Sequence, residues 1–245
     1  MSRRRQLAEV VLGRGDYAAG GACTEPFLEQ DGARRRRPMV LGEVLCHEPE
    51  DPLVRSMFSG RTSNPGDWAM MWREIGADGV CVRVESPDDS MIVAAVAIRT
   101  GLPVAVSGPR EAVDACADID GTVLILMDAS PGDDVHVRAT TFGSEVSEGP
   151  SRMHLVAGRF PEPDAFSEAA SIRDRALDGD AYCDAPIAFD VTPVWDDGFA
   201  DERGASMMEG EAALAAMLSG ADLLIVRGPG AADMARVYGE ELADL

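Results

Sequence analysis

Residues 204–237, GASMMEGEAALAAMLSGADLLIVRGPGAADMARV, constrain the fold more than any other stretch of the chain. The apolar period predicts a helix over 206–218, and Gly220 ends it. Residues 221–226 read as a short apolar strand, after which Gly228-Pro229-Gly230 turns the chain into a second helix. A continuous apolar strand between two helices must be covered on both faces, which points to a parallel sheet. Ligands in such folds sit beyond the carboxyl ends of the strands, so Arg227 and Gly228 fall where function is expected.

The same alternation runs through most of the chain. A β-hairpin is expected over 6–30, its strands flanking an Arg14-Gly15-Asp16 turn. Further strands are expected at 39–46, 79–84, 103–107, 123–127, 135–139, 153–156, 186–189 and 221–226. Helical patterns at 64–75, 88–100, 110–119, 164–177, 206–218 and 231–242 separate most of them, with Asn64-Pro65 and Ser86-Pro87 as starts and Gly101 and Gly220 as stops. About eight strands with intervening helices in this length match a TIM (β/α)8 barrel. A doubly wound open sheet is the rival, because periodicity alone does not close a barrel. Between Asp128 and Pro163 there is room for two strands but hardly for full crossover helices, so the barrel is expected to be abbreviated between its strands 4 and 6. The division is a hairpin with a basic turn over 1–38 and the barrel over 39–245.

Composition narrows the function classes. The net charge is −21, and all 22 basic residues are arginine. Without lysine there is no Schiff-base chemistry, no pyridoxal phosphate anchor and no phosphate-loop lysine. So acidic a surface disfavours nucleic acid. No apolar run is long enough to span a bilayer, and Met1 is not followed by a signal-peptide core, so a cytoplasmic protein is expected. Five scattered cysteines, Cys23, Cys46, Cys81, Cys116 and Cys183, argue for reduced thiols rather than disulfides, and they show no spacing that would seat a metal. Charge is uneven: residues 1–37 carry a net of +3 and the remainder −24. The arginines at 3–5 and 34–37 form either solvated turns or a basic end that docks an acidic partner or phosphate.

In their order and spacing, VLGEVLCHEPEDP (40–52), NPGDWAMMWREIGADGVCVRVES (64–86), LPVAVSG (102–108), APIAFDVTPVWDD (185–197) and GADLLIVRGPGAADM (220–234) resemble the delta subunit of carbon monoxide dehydrogenase/acetyl-CoA synthase, the small subunit of the corrinoid iron–sulfur protein. The resemblance covers most of residues 7–240. It implies a TIM barrel paired with a larger, cluster-bearing corrinoid protein subunit, and a corrinoid shared between the two during methyl transfer in acetyl-CoA (Wood–Ljungdahl-type) one-carbon metabolism. It also implies a non-catalytic subunit with no iron–sulfur cluster of its own, in keeping with the lack of a C-x-x-C pair. The chain is shorter than the family, keeping only VAGRFPEP where the family has a longer glycine-rich loop.

Several residues carry the expected site. Glu43 is a charge inside an apolar strand and must face a polar barrel mouth or a partner. Glu85 ends the second barrel strand in the same way and is expected to face Glu43. Asp128, Asp190 and Arg227 close strands at their carboxyl ends. Ser107-Gly108-Pro109 and Gly228-Pro229-Gly230 place backbone N–H groups at helix starts, which suits a phosphate or a propionamide carbonyl. Together these residues predict a mouth of predominantly negative character with Arg227 as its main counter-charge. Cys46-His47 would need a further ligand such as Glu85 or Asp128 to hold a metal. His136 and His154 read as packed or surface residues. Trp195 with Phe199 reads either as an interface anchor or as a core plug.

Two other functions remain open on the sequence. One is a free-standing pterin- or corrinoid-dependent methyltransferase; gripping a pterin would take an Asp and Asn pair, and Asn64 is the only asparagine. The other is a truncated, non-catalytic paralogue acting in assembly or regulation. A homo-oligomer is compatible with all three.

Overall fold

The computed structural model describes residues 6–12, 17–21, 37–116, 119, 123–126, 139–140, 154–157, 163–181 and 183–243. An antiparallel hairpin, β1 (Glu9–Leu12) and β2 (Tyr17–Gly20), opens the described chain. After β3 (Met39–Leu45) come α1 (Pro52–Met57), α2 (Pro65–Ile75), β4 (Gly79–Arg83), α3 (Ser90–Thr100), β5 (Val104–Ser107) and α4 (Arg110–Asp114). β6 (Val123–Leu126), β7 (Ala139–Thr140), β8 (His154–Ala157), α5 (Pro163–Leu177), β9 (Ile187–Asp190), α6 (Glu202–Leu218), β10 (Leu223–Val226) and α7 (Pro229–Ala243) complete it. Among the described residues, no helix is long and apolar enough to cross a membrane.

Local chemistry explains the boundaries. Asn64 caps α2 by accepting the Asp67 N–H at 3.1 Å, and Pro65 occupies the first helical position, where a missing N–H costs nothing. Asp89 accepts the backbone N–H groups of Glu85 and Ser86 ahead of α3. Asp201 accepts the Gly204 N–H at 2.7 Å, which starts α6 four residues earlier than its apolar period suggests.

The strand order β7-β6-β5-β4-β3-β10-β9-β8 decides between barrel and open sheet. Chain order runs outward from β3 through β4, β5 and β6, and the last strand, β10, pairs with β3 on its other side in parallel register, Leu223 against Met39. First and last strands lie side by side, as a cylinder requires and a doubly wound sheet does not. Within this sheet, every pairing among the described residues is parallel except β6 with β7. An antiparallel neighbour needs only a short connection, so this pairing suits a segment with no room for a crossover helix. β3, β4, β5, β9 and β10 are buried at almost every position, with the barrel interior on one face and helices on the other.

Both Gly-Ala-Asp triplets act at the amino ends of the strands. Gly76 and Gly220 hold left-handed backbone that ends α2 and α6, at φ of 88° and 104°. Two residues on, Asp78 accepts the Val40 N–H at 2.9 Å and Arg37 at 2.7 and 2.6 Å. Asp222 accepts the Ile187 N–H at 2.9 Å and Arg173 at 2.7 Å. Each aspartate thus closes the start of a neighbouring strand with a charge-assisted bond. The hairpin docks on the same end: Ala8 donates to Asp184 at 2.7 Å, and Leu7 packs against Ala176 and Cys183. Arg37 is therefore an internal anchor rather than a free docking charge. Arginines 3–5 and 34–36, with Cys23, lie outside the described residues.

Gly42 in β3 answers a different demand. A Cβ there would sit 1.9 Å from the Trp72 ring, whose indole N–H donates 2.8 Å to the Glu43 carbonyl. Gly42→Ala is expected to destabilise the protein by roughly 1–3 kcal/mol through overpacking, read as a lower denaturation midpoint. Asp222→Ala, by leaving the Ile187 N–H without its acceptor and Arg173 with the Gly220 carbonyl but no counter-charge, should cost a similar ~1–3 kcal/mol.

Candidate functional site

The carboxyl ends of the strands converge on one buried carboxylate. Glu43 leaves only 2% of its side chain exposed, yet it carries charge. Its Oε1 accepts the Arg83 Nε–H at 2.9 Å, and both its oxygens face the Arg227 guanidinium, which donates through Nε and, at 3.2 Å, through NH2. Burial on its own would raise the Glu43 pKa; the adjacent Arg227 and Arg83 outweigh it and hold the carboxyl below its usual range. Glu43 is an ionised group paired with two guanidiniums.

Arg83 extends the network across the mouth. Its NH1 donates to Ser107 Oγ at 3.0 Å, and its NH2 to Asp190 Oδ2 at 2.5 Å and Thr192 Oγ1 at 3.1 Å. Asp190 in turn accepts the Thr192 N–H at 3.0 Å and its hydroxyl at 2.8 Å. Burial opposes the charge on Arg83, but Asp190 and the neighbouring Cys81 and Glu43 more than offset it, so the guanidinium stays protonated. One side chain thereby links the ends of β3, β4, β5 and β9, and Arg227 adds β10 through Glu43.

Behind this layer lies a second buried carboxylate. Glu209, on α6, accepts the backbone N–H of Arg227 at 2.5 Å and of Gly228 at 2.8 Å. Full burial pushes its pKa up to about 7, against the opposing pull of those two N–H groups and the nearby Trp195 indole. The indole Nε1 is close enough to steady the charge but has no partner in hydrogen-bond geometry among the described residues. Trp195 is only 4% exposed; its ring lies 5.9 Å from the Arg227 guanidinium and meets Phe199 edge-on at 5.3 Å. Of the two roles open to this pair, the core plug is the one realised.

The expected site residues fare differently. Glu43, Ser107, Asp190 and Arg227 come together as anticipated. Glu85 does not join them: its side chain is 70% exposed and lies 3.5 Å from His47 on the rim. The strand ends at Arg83, the alternation lapses, and the Glu85 backbone turns toward Asp89. Gly228 is at the mouth, but its N–H is not free for a ligand, because Glu209 holds it. The Ser107-Gly108-Pro109 turn presses on β4 instead of opening a cradle, since a Cβ at Gly108 would fall 2.0 Å from the Val84 carbonyl. Asp128 and His136 lie outside the described residues, and nothing is described of the His154 side chain. Among the described residues, Arg83 and Arg227 face Glu43 and Asp190, so the charges of this part of the mouth are matched.

Arg83 and Glu209 were not anticipated, although the signals exist. Arg83 is the one charge in the apolar run Gly79–Arg83, the criterion that singled out Glu43. Glu209 falls on the stripe of Ala205, Ala212, Ala213 and Ala216, which all face the core. At Cys46-His47, burial, with Asp89, Cys116 and Glu85 nearby, lifts the Cys46 thiol to about 12 and keeps it protonated. Among the described residues, no group of three His, Cys, Asp or Glu is placed to hold a metal ion.

A scan against protein-family models and a search of curated proteins match nothing. Among solved structures, dihydropteroate synthase from Thermus thermophilus is similar, with 16% identity and a TM-score of 0.51 over 97% of this chain and 98% of that one. Yersinia pestis dihydropteroate synthase in a sulfonamide drug complex gives 12% identity and a TM-score of 0.50 over 84% and 93% of the two chains. The fold is a TIM barrel. At such identities the likeness is one of fold and does not extend to activity.

Two outcomes follow from this geometry. Arg83→Ala leaves Glu43 and Asp190 without their shared cation and should cost about 3–5 kcal/mol of stability, measured by denaturant unfolding. Glu209 titrates higher folded (about 7) than its ordinary 4.5, so its contribution to stability is present below pH 4.5 and lost as pH rises through 7. The melting temperature of Glu209→Gln relative to the parent should therefore climb between pH 5 and 8. A difference independent of pH would show that Glu209 is already ionised throughout.

Proposed function

We propose that this chain is a non-catalytic barrel subunit whose mouth covers a corrinoid carried by a cluster-bearing partner protein, in methyl transfer of one-carbon metabolism. One observation carries the reading. The segments that resemble the delta subunit, VLGEV, GVCVRVES, APIAFDVTPVWDD and LLIVRGPG, are those that supply Glu43, Arg83, Asp190, Thr192, Trp195 and Arg227 to the mouth. Their charges neutralise one another, which builds a fixed, nearly neutral face rather than a reactive pocket. Such a face suits a ligand edged with neutral amides better than one carrying phosphate.

The residues fit a corrinoid in two respects. Arg227 uses Nε and NH2 on Glu43, which leaves NH1 to donate to an amide carbonyl from a side chain 23% exposed. The buried Trp195 ring, 5.9 Å from the Arg227 guanidinium, backs that donor from the core side. When bound, the corrinoid would supply the cobalt that accepts and releases the methyl group; this chain would position it and exclude water.

The structural neighbours are named dihydropteroate synthases, which brings the free-standing pterin enzyme into consideration. Asn64 weighs against it, because its side-chain oxygen caps α2. The chain also offers no lysine for a pterin or its leaving group.

Calorimetry with cobinamide tests the reading. Binding by the parent and a roughly tenfold loss in Arg227→Ala are expected, the effect of one charged hydrogen bond. No cobinamide binding, together with condensation of a pterin pyrophosphate with 4-aminobenzoate by the purified chain, would replace the scaffold with the enzyme.

A further inference from the structure

The flank of the barrel carries a second feature, built from residues outside the mouth network. α3 buries Val93, Val96, Ala97 and Thr100 against the barrel. Its opposite face is also apolar: from Ser90 to Ile98 the helix has no charge. Met91 and Ile98 are 79% and 80% exposed, the most exposed large hydrophobic side chains among the described residues. Between them lie Ala94, half-buried, and Ala95, exposed. The outward faces of the other long helices are broken by charge: Arg73 and Glu74 on α2, Glu211 between Met207 and Leu218 on α6, and Asp233 and Glu240 about Val237 on α7.

We infer that this face of α3 is a contact between two copies of the chain, packed antiparallel about a two-fold axis that passes between Ala94 and Ala95. The order large-small-small-large reads the same in both directions: Met91 stands three residues before Ala94, and Ile98 three after Ala95. A two-fold contact needs a self-complementary patch of this kind. The alanines allow the helices to approach closely at the crossing, and each Met91 then packs on the Ile98 of the other copy.

Charge points to a second copy too. Asp88, exposed, precedes the stripe, and Arg99, half-exposed and paired with Asp67, follows it. Antiparallel packing sets the acidic end of one helix beside the arginine end of the other and opposes their dipoles favourably. A chain with a net charge of −21 repels its own copies over most of its surface, so an uncharged face flanked by opposite charges is where self-association meets least resistance.

Light scattering on the intact chain tests the inference. A dimer is expected, and Ile98→Glu should halve the measured mass while the chain stays folded, with a melting temperature that no longer depends on protein concentration. Ala95→Cys adds a geometric test. Two copies of position 95 meet at the axis, so mild oxidation should yield a covalent dimer beyond the level of the parent chain, whereas Met207→Cys should not. A monomeric parent at high concentration, a dimer that survives Ile98→Glu, or an Ala95→Cys variant that does not cross-link would each overturn it.

Discussion

The arrangement rests on one buried anion held by two guanidiniums. Glu43 could not be ionised inside the barrel without them, since an isolated carboxylate in so dry a place would take up a proton. With Arg83 and Arg227 in place it becomes the hub that ties the carboxyl ends of five parallel strands. The same interaction that stabilises the mouth lowers the affinity of Glu43 for a proton, because two cations hold its carboxylate.

Glu209 shows a different solution to the same problem. It has no guanidinium of its own and relies on two backbone N–H groups at the entry to α7. Those donors hold the Arg227 loop in place, so the direction of the Arg227 guanidinium depends on a helix eighteen residues earlier in the chain. They are weaker partners than cations, and the carboxyl titrates near neutrality. Two buried glutamates a few residues apart in space thus differ in protonation through their partners alone. At the opposite end of the barrel, Asp78 and Asp222 perform a purely architectural task with the same chemistry, each joining a strand start to an arginine.

Much of the fold was legible in local pattern. Apolar runs bounded by helix starts and stops placed nearly every described strand and helix within a few residues, because burial on both faces of a parallel sheet leaves a continuous hydrophobic signature. The two strands of the hairpin were readable from the segments on either side of a turn sequence that itself lies outside the described residues. The site was only half legible. Glu43, Asp190 and Arg227 stood out as charges at the ends of apolar strands. Glu85 looked the same and turned outward, because one residue of lost strand pairing breaks the alternation that aims a side chain inward. The partners of Arg83 and Glu209 are distant in sequence: Arg83 pairs with Glu43, 40 residues away, and Glu209 accepts the backbone N–H of Arg227, 18 residues away.

The sequence by itself determined the elements, their order and the class of the sheet, since these follow from periodicity, caps and turn residues within a dozen positions. It also excluded lysine chemistry outright, by composition. Tertiary structure alone decided that the sheet curls so that β10 meets β3, that Glu43 finds Arg227 across 184 residues, and that the N–H of Gly228 is closed by Glu209 rather than left for a ligand. These are pairings between distant segments, and electrostatic partnership depends on distance in space and on burial, neither of which is written in the local order of residues.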